Sequence, residues 1–178
     1  MKLKAVFLDR DGALIPELPN ENNTKAELNE KFIEGLQLLQ SYGYLLVIVS
    51  NQSGKIDAVS LEKLDEFKKN IIRSCSQMGI YLDGFYYGPT DKENSGNADT
   101  ESKFNDAGSN ILMQAAGDMD IDLSMSWMIG DIISDVEAGE RAGCKGVLVA
   151  AGKPKPNGRV AARDLADAAK KIVERETA

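Results

Sequence analysis

The chain has 178 residues and no histidine. That absence removes the Ser-His-Asp and Cys-His arrangements, histidine general bases and every zinc site that needs an imidazole. Cysteine is scarce too, with only Cys75 and Cys144, far apart and in no CxxC pair. Neither a four-thiolate metal site nor a disulfide framework can be built from them. They read as small core residues in a reducing compartment, with a bridge between the two left open. Long apolar runs are also missing. The longest, Tyr44 to Val49, falls far short of the ~20 residues a membrane-spanning helix needs. The basic and apolar opening stops at Asp9, too early for a signal peptide, so the sequence predicts a cytoplasmic protein. Positive charge is in deficit, 21 Lys and Arg against 28 Asp and Glu, a net charge of −7. Nucleic acid and anionic membranes both call for the opposite balance. Aromatic residues make up 6% with one tryptophan, and no aromatic stripe suggests base stacking.

What is present is an ordinary globular composition, 43% apolar and 28% charged, in a length that suits one domain spanning residues 1–178. Short apolar runs alternate with helical periodicity, which predicts an α/β fold with a mostly parallel sheet. Strands are expected at Leu3–Leu8, Tyr44–Val49, Phe85–Tyr87, Ser126–Ile129 and Gly146–Ala150. Thr24 with Glu27, and Ser134 with Glu137, have the spacing of helix-opening capping boxes. Leu28, Phe32, Leu36 and Leu39 repeat as one helix, and Leu61, Leu64, Ile71, Cys75 and Met78 as another. Further helices are expected around Ile111–Ala116 and from Val160 to Val173. Residues 88–106 form a polar stretch that reads as a long loop.

In a parallel sheet of this kind, ligands bind at the carboxyl ends of the strands. Those ends carry Asp9 and Asp11 after the first strand, Ser50 after the second and Asp131 after the fourth, with Asp135 on the turn beyond. Asp9 and Asp11, two residues apart on an extended segment, can face the same way. Like charges so placed need a cation or a shared proton. Oxygen ligands with no imidazole or thiolate nearby favour a hard cation, Mg²⁺ before Zn²⁺. Arg10 is expected on the opposite sheet face from Asp9, either capping a neighbouring helix or clamping substrate.

Asp9-Arg10-Asp11-Gly12, Ser50-Asn51-Gln52, a lysine before the fourth strand and Gly130-Asp131-x-x-Ser134-Asp135 occur in this order. Together they resemble the four motifs of the haloacid dehalogenase (HAD) superfamily. The spellings LDRDG, SNQSG and SWMIGD-x-x-SDVEAG resemble, within it, the heptose bisphosphate phosphatases and their histidinol-phosphate phosphatase relatives, from about Leu3 to Val173. The resemblance implies a Rossmannoid three-layer sandwich, a sheet of five or more strands and no large cap domain, since about a dozen residues separate Asp11 from the first helix. It implies a phosphomonoesterase in which Asp9 takes the phosphoryl group and Asp11 protonates the leaving alkoxide, then activates water. Mg²⁺ would be held by Asp9, the main-chain carbonyl of Asp11 and Asp131, with Asp135 in support. Ser50 and Asn51 would bind phosphate oxygens. Lys103 fits the lysine motif, with Lys153 or Lys155 as rivals misplaced after the fifth strand.

The departures bear on substrate. Where the group carries a zinc loop built from a Cys-Pro-His step and two later cysteines, this chain reads Gly88-Pro89-Thr90, Asp99 and Glu101, so no zinc is expected. The arginine before the motif lysine is Ser102, which removes a bidentate phosphate contact. The expected substrate is a small phosphorylated metabolite, a heptose bisphosphate-like sugar phosphate or a histidinol phosphate-like amino alcohol. The oligomeric state, monomer or homo-oligomer, stays open. Rival readings are a nucleic-acid 3′-phosphatase, disfavoured by the charge, and a HAD-fold binding or regulatory protein that has lost turnover.

Overall fold

In the computed structural model, residues 2–10, 14–15, 28–51, 58–88, 100–150 and 159–177 are described, excepting the side chains of 58–60 and 100–107. In chain order the elements are β1 (Ala5–Asp9), α1 (Glu30–Ser41), β2 (Leu45–Ser50), α2 (Ala58–Gln77), β3 (Gly84–Tyr87) and α3 (Thr100–Asp118). They continue as β4 (Trp127–Gly130), α4 (Ile133–Ala142), β5 (Lys145–Val149), β6 (Val160–Ala162) and α5 (Leu165–Thr177). Among the described residues the strands form one six-stranded sheet in the order β3-β2-β1-β4-β5-β6, and every pairing is parallel.

Residue parity along the central strands builds the layers. Successive side chains of a strand point to opposite faces. Val6 and Leu8 of β1, Leu46 and Ile48 of β2, and Trp127 and Ile129 of β4 join one core with Phe32, Leu36, Ile71, Cys75 and Ile172 from α1, α2 and α5. The alternate residues Ala5, Phe7, Val47, Val49 and Met128 join a second core with Ile111, Leu112 and Ala115 of α3 and with Cys144. Both faces of the sheet are therefore covered, which is why these strands read as continuous apolar runs. The two cysteines lie in cores on opposite faces, and both are free thiols. No bridge joins them.

The hydroxyl of the buried Ser126 accepts from the Ala5 N–H at 2.9 Å and donates to the Asp122 carbonyl at 2.6 Å, pinning the start of β1 beside β4. Glycines set how closely helices approach. A Cβ on Gly139 of α4 would lie 2.3 Å from Met128 Cβ, and one on Gly35 of α1 would lie 2.7 Å from the Leu165 carbonyl oxygen. Larger residues at either place would push a helix off its neighbour.

Several expectations change. α1 opens at Glu30, and its cap is Asn29, whose side chain accepts from the Phe32 N–H at 2.8 Å. Thr24 and Glu27 lie outside the described residues. α4 opens with Ile132 at the cap position and no side-chain capping bond, so Ser134 sits within the first turn and forms no box with Glu137. Of the polar stretch 88–106, residues 100–106 belong to α3, and residues 89–99 lie outside the described residues. Val160 lies in a short edge strand rather than a helix, and α5 begins at Leu165. There the Asp164 carboxylate accepts from the Asp167 N–H at 2.8 Å, and Asp167 reaches back to the Arg163 N–H at 2.9 Å. Among the described residues no helix is long and apolar enough to cross a membrane.

Candidate active site

The strand order places β1 between β2 and β4, and the chain leaves β1 for β2 on one side but reaches β4 only after β3. The carboxyl ends of β1 and β4 therefore flank the point where the winding reverses, the crevice in which such sheets bind ligands. Asp9 is the last residue of β1 and Asp131 is the first beyond β4. Asp135 lies in the first turn of α4, where the positive end of the helix dipole favours a carboxylate. Asp9 is 4% exposed, and the other two are half-buried.

Oxygen atoms of Asp9, Asp131 and Asp135 lie within 4.8 Å of one another. Three full charges that close repel by roughly 3–4 kcal/mol per pair at an effective dielectric near 20. Such crowding of carboxylates favours positive charge beside them. An octahedral Mg²⁺ with ligands at about 2.1 Å spans about 4.2 Å between opposite oxygens, so the three carboxylates need only a small adjustment to share one. The donor set is all oxygen, which suits a hard cation. The residues present fit Mg²⁺.

Gly130 explains how the group is drawn together. A Cβ there would stand 2.7 Å from Asp135 Cβ and 3.1 Å from its Oδ2, so only glycine lets α4 fold back over the end of β4. Sequence reading named Asp131 and Asp135 but gave this glycine no role; the signal was a glycine directly before a strand-end aspartate.

The other expected site residues divide. Asn51, just past β2, lines a cleft of about 60 Å³ together with Asp9, Ser134, Asp135 and Arg141. Ser50 ends β2 and is fully buried, and its carbonyl accepts from the Gly88 N–H at 2.7 Å. Asp11 lies outside the described residues, as do Lys153 and Lys155. Lys103 lies in the first turn of α3, and its side chain is not described. Arg10 faces away from Asp9: its guanidinium stands over the Phe67 ring of α2 at 4.7 Å. Burial pushes the neighbouring Tyr87 hydroxyl above its ordinary pKa, and the Arg10 charge pulls it partly back. Arg10 therefore ties the end of β1 to α2.

Comparison with known proteins settles the family. A sequence profile described as HAD-hydrolase-like matches residues 107–174. The D-glycero-beta-D-manno-heptose-1,7-bisphosphate 7-phosphatase of Pasteurella multocida is 36% identical over 154 residues, covering 85% of this chain and 84% of that one. The chain belongs to the HAD family of hydrolases. A Burkholderia mallei relative, named for the alpha anomer of the same heptose bisphosphate, is 32% identical over 80% of this chain and 77% of its own. A solved HAD structure has a TM-score of 0.69 with this chain at 21% identity, covering 97% of this chain and 99% of that one. It is a D,D-heptose 1,7-bisphosphate phosphatase from B. bronchiseptica complexed with magnesium and phosphate. At that identity it shows the fold, an α/β HAD-like one, in agreement with the sequence.

Proposed function

We propose that this HAD-family chain is a Mg²⁺-dependent phosphomonoesterase acting on a small sugar phosphate, with a heptose bisphosphate as the leading substrate. The observation that carries this reading is the convergence of Asp9, Asp131 and Asp135, oxygens within 4.8 Å, at the winding reversal of the sheet. The relatives' shared name supports the substrate. Because those relatives are named for both anomers, the reading leaves the anomer open.

A carboxylate oxygen of Asp9 attacks phosphorus, the ester P–O bond breaks, and the leaving alkoxide takes a proton from Asp11. Water then gives a proton back to Asp11 as it attacks the aspartyl-phosphate, which releases inorganic phosphate and restores Asp9. Mg²⁺, when bound, neutralises charge so that an anionic carboxylate can approach an anionic ester. Asn51 and Ser50, at the end of the strand beside β1, are placed to bind phosphate oxygens. Lys103 is assigned to the same task, supported by its backbone position. It lies five residues, about 7.5 Å of helix, before Gly108, which lines the cleft with Asp9.

The zinc loop has no counterpart in this reading. The chain offers no imidazole, and its only thiols are buried in separate cores. A net charge of −7 and the absence of an apolar spanning helix among the described residues support a metabolite substrate over nucleic acid or membrane. We assign the protein to the cytoplasm as one domain, its self-association undecided between monomer and homo-oligomer.

Phosphate release should be measured across phosphorylated sugars, histidinol phosphate and an aryl phosphate, with Mg²⁺ and with EDTA. Metal-dependent turnover that favours one sugar phosphate is expected. A folded protein that releases phosphate from none of them would support the binding-protein reading instead.

A further inference from the structure

On the far side of Asp131 from the cleft that Asn51 lines, the structure contains a second and larger cavity of about 280 Å³. It opens between the N-terminal ends of α1 and α5, the two helices that pack together on this face of the sheet. At ~30 Å³ per water, it holds the volume of roughly nine waters, the scale of a hexose or heptose rather than of a phosphate group.

Its lining has two characters. Leu14, Phe32 and Leu165, each almost fully buried, make an apolar floor. Asn29, Lys31, Arg163 and Asp164 make a polar wall that reaches Asp131. The charges on that wall balance. Lys31 is paired with Glu34 at 2.9 Å and lies within electrostatic reach of Asp164, while Arg163 stands 3.7 Å from Asp167. Each helix end also carries a side-chain cap, Asn29 on the Phe32 N–H of α1 and Asp164 on the Asp167 N–H of α5. A bare dianion would meet two carboxylates here, Asp131 and Asp164. A polyhydroxyl compound meets what it needs, acceptors for its hydroxyl protons, donors for its oxygens and an apolar surface for its C–H face.

We infer that this cavity receives the hydroxyl-rich, sugar-sized part of the phosphate ester, while the reacting phosphoryl group lies at Asp9. Asp131 belongs to both the carboxylate trio and the cavity wall, so the two subsites are contiguous. The inference rests on the phosphatase reading and adds where selectivity for the sugar resides. α1 and α5 carry the residues that select the leaving group.

The test is Ala150→Leu, which adds bulk at the cavity wall while keeping the Ala150 N–H bond to the Ala162 carbonyl. Lys31→Ala serves as a second variant in case the first fails to fold. Each is assayed for kcat/KM on the best sugar phosphate of a panel headed by heptose 1,7-bisphosphate, and on p-nitrophenyl phosphate. The expected result is a fall of about tenfold or more in the ratio of sugar to aryl phosphate kcat/KM, carried by KM. Ratios that do not move in either folded variant overturn the inference and leave the phosphatase reading intact. So does an unaltered protein that prefers no sugar phosphate over the aryl ester. Silence of the unaltered protein on every ester overturns both.

Discussion

A methyl group at Gly130 has nowhere to go except into Asp135, 2.7 Å away. Gly130→Ala should displace that carboxylate and raise the half-saturating Mg²⁺ concentration for phosphate release about tenfold, equivalent to ~1.4 kcal/mol. The unfolding midpoint in EDTA should fall as well, because Asp135 Cβ cannot yield without a shift of α4; an unchanged Mg²⁺ requirement would contradict this. At this scale Asp9, Asp131 and Asp135 were legible as a group, since aspartates at the ends of apolar strands have few structural reasons to exist. The parity that would turn Arg10 away from Asp9 was legible too, but its partner was not. Stacking on Phe67 joins positions 57 residues apart, which no local pattern encodes. The cysteines make a further prediction. Burial raises Cys75 from an ordinary 9.0 to about 11 and Cys144 to about 12, because the apolar interior disfavours the thiolate. The unfolded chain then loses these protons first, so their contribution to stability is complete below pH 9 and declines as pH rises above it. At pH 8 a thiol reagent should label neither residue in the folded protein and both in denaturant. Rapid labelling of the native protein would show that the cores are not closed.

At the scale of elements, close approach of α4 to β4 is the feature on which the site depends. These two elements bring Asp135 and Asp131 together, and Gly139 against Met128 sets their spacing. Gly139→Ala should destabilise the protein by about 1–3 kcal/mol through overpacking and reduce activity as well, read from denaturant midpoints and kcat. Full stability in that variant would mean that α4 is not seated as described. At the start of α1, Asn29→Ala removes the bond to the Phe32 N–H and should cost about 1 kcal/mol by the same denaturant measurement, with no change if Asn29 is not the cap. The sequence pointed elsewhere for this helix start because Thr24 and Glu27 have the more conspicuous spacing, whereas Asn29 has Phe32 three residues on. Leu28 and Ile33 occupy the flanking positions of a hydrophobic staple, and both pack on the core. α3 escaped notice before Ile111 because its first two turns carry almost no apolar residues and therefore no periodicity. The edge strand β6 is three residues long and was absorbed into the apolar pattern of α5.

For the molecule as a whole, the alternating apolar runs were enough to give an α/β fold with a mostly parallel sheet, because strands buried on both faces carry little polar interruption. What they could not give is the cavity between α1 and α5. Its walls come from residues 14, 29, 31–32, 131, 149–150 and 163–165, which only the strand order brings together. The same order makes Asp9 and Asp131 neighbours although 122 positions separate them. Covalent catalysis at Asp9 is the claim on which the rest stands, and one measurement tests it directly. The protein and its Asp9→Asn variant are mixed with Mg²⁺ and a turned-over phosphate ester, quenched in acid within the first turnover, and the peptide containing Asp9 is weighed. A phosphoryl group on Asp9 in the unaltered protein, with no phosphate release by the variant, is the predicted result. Release of phosphate by Asp9→Asn at the unaltered rate, with no added mass on the Asp9 peptide, would contradict it.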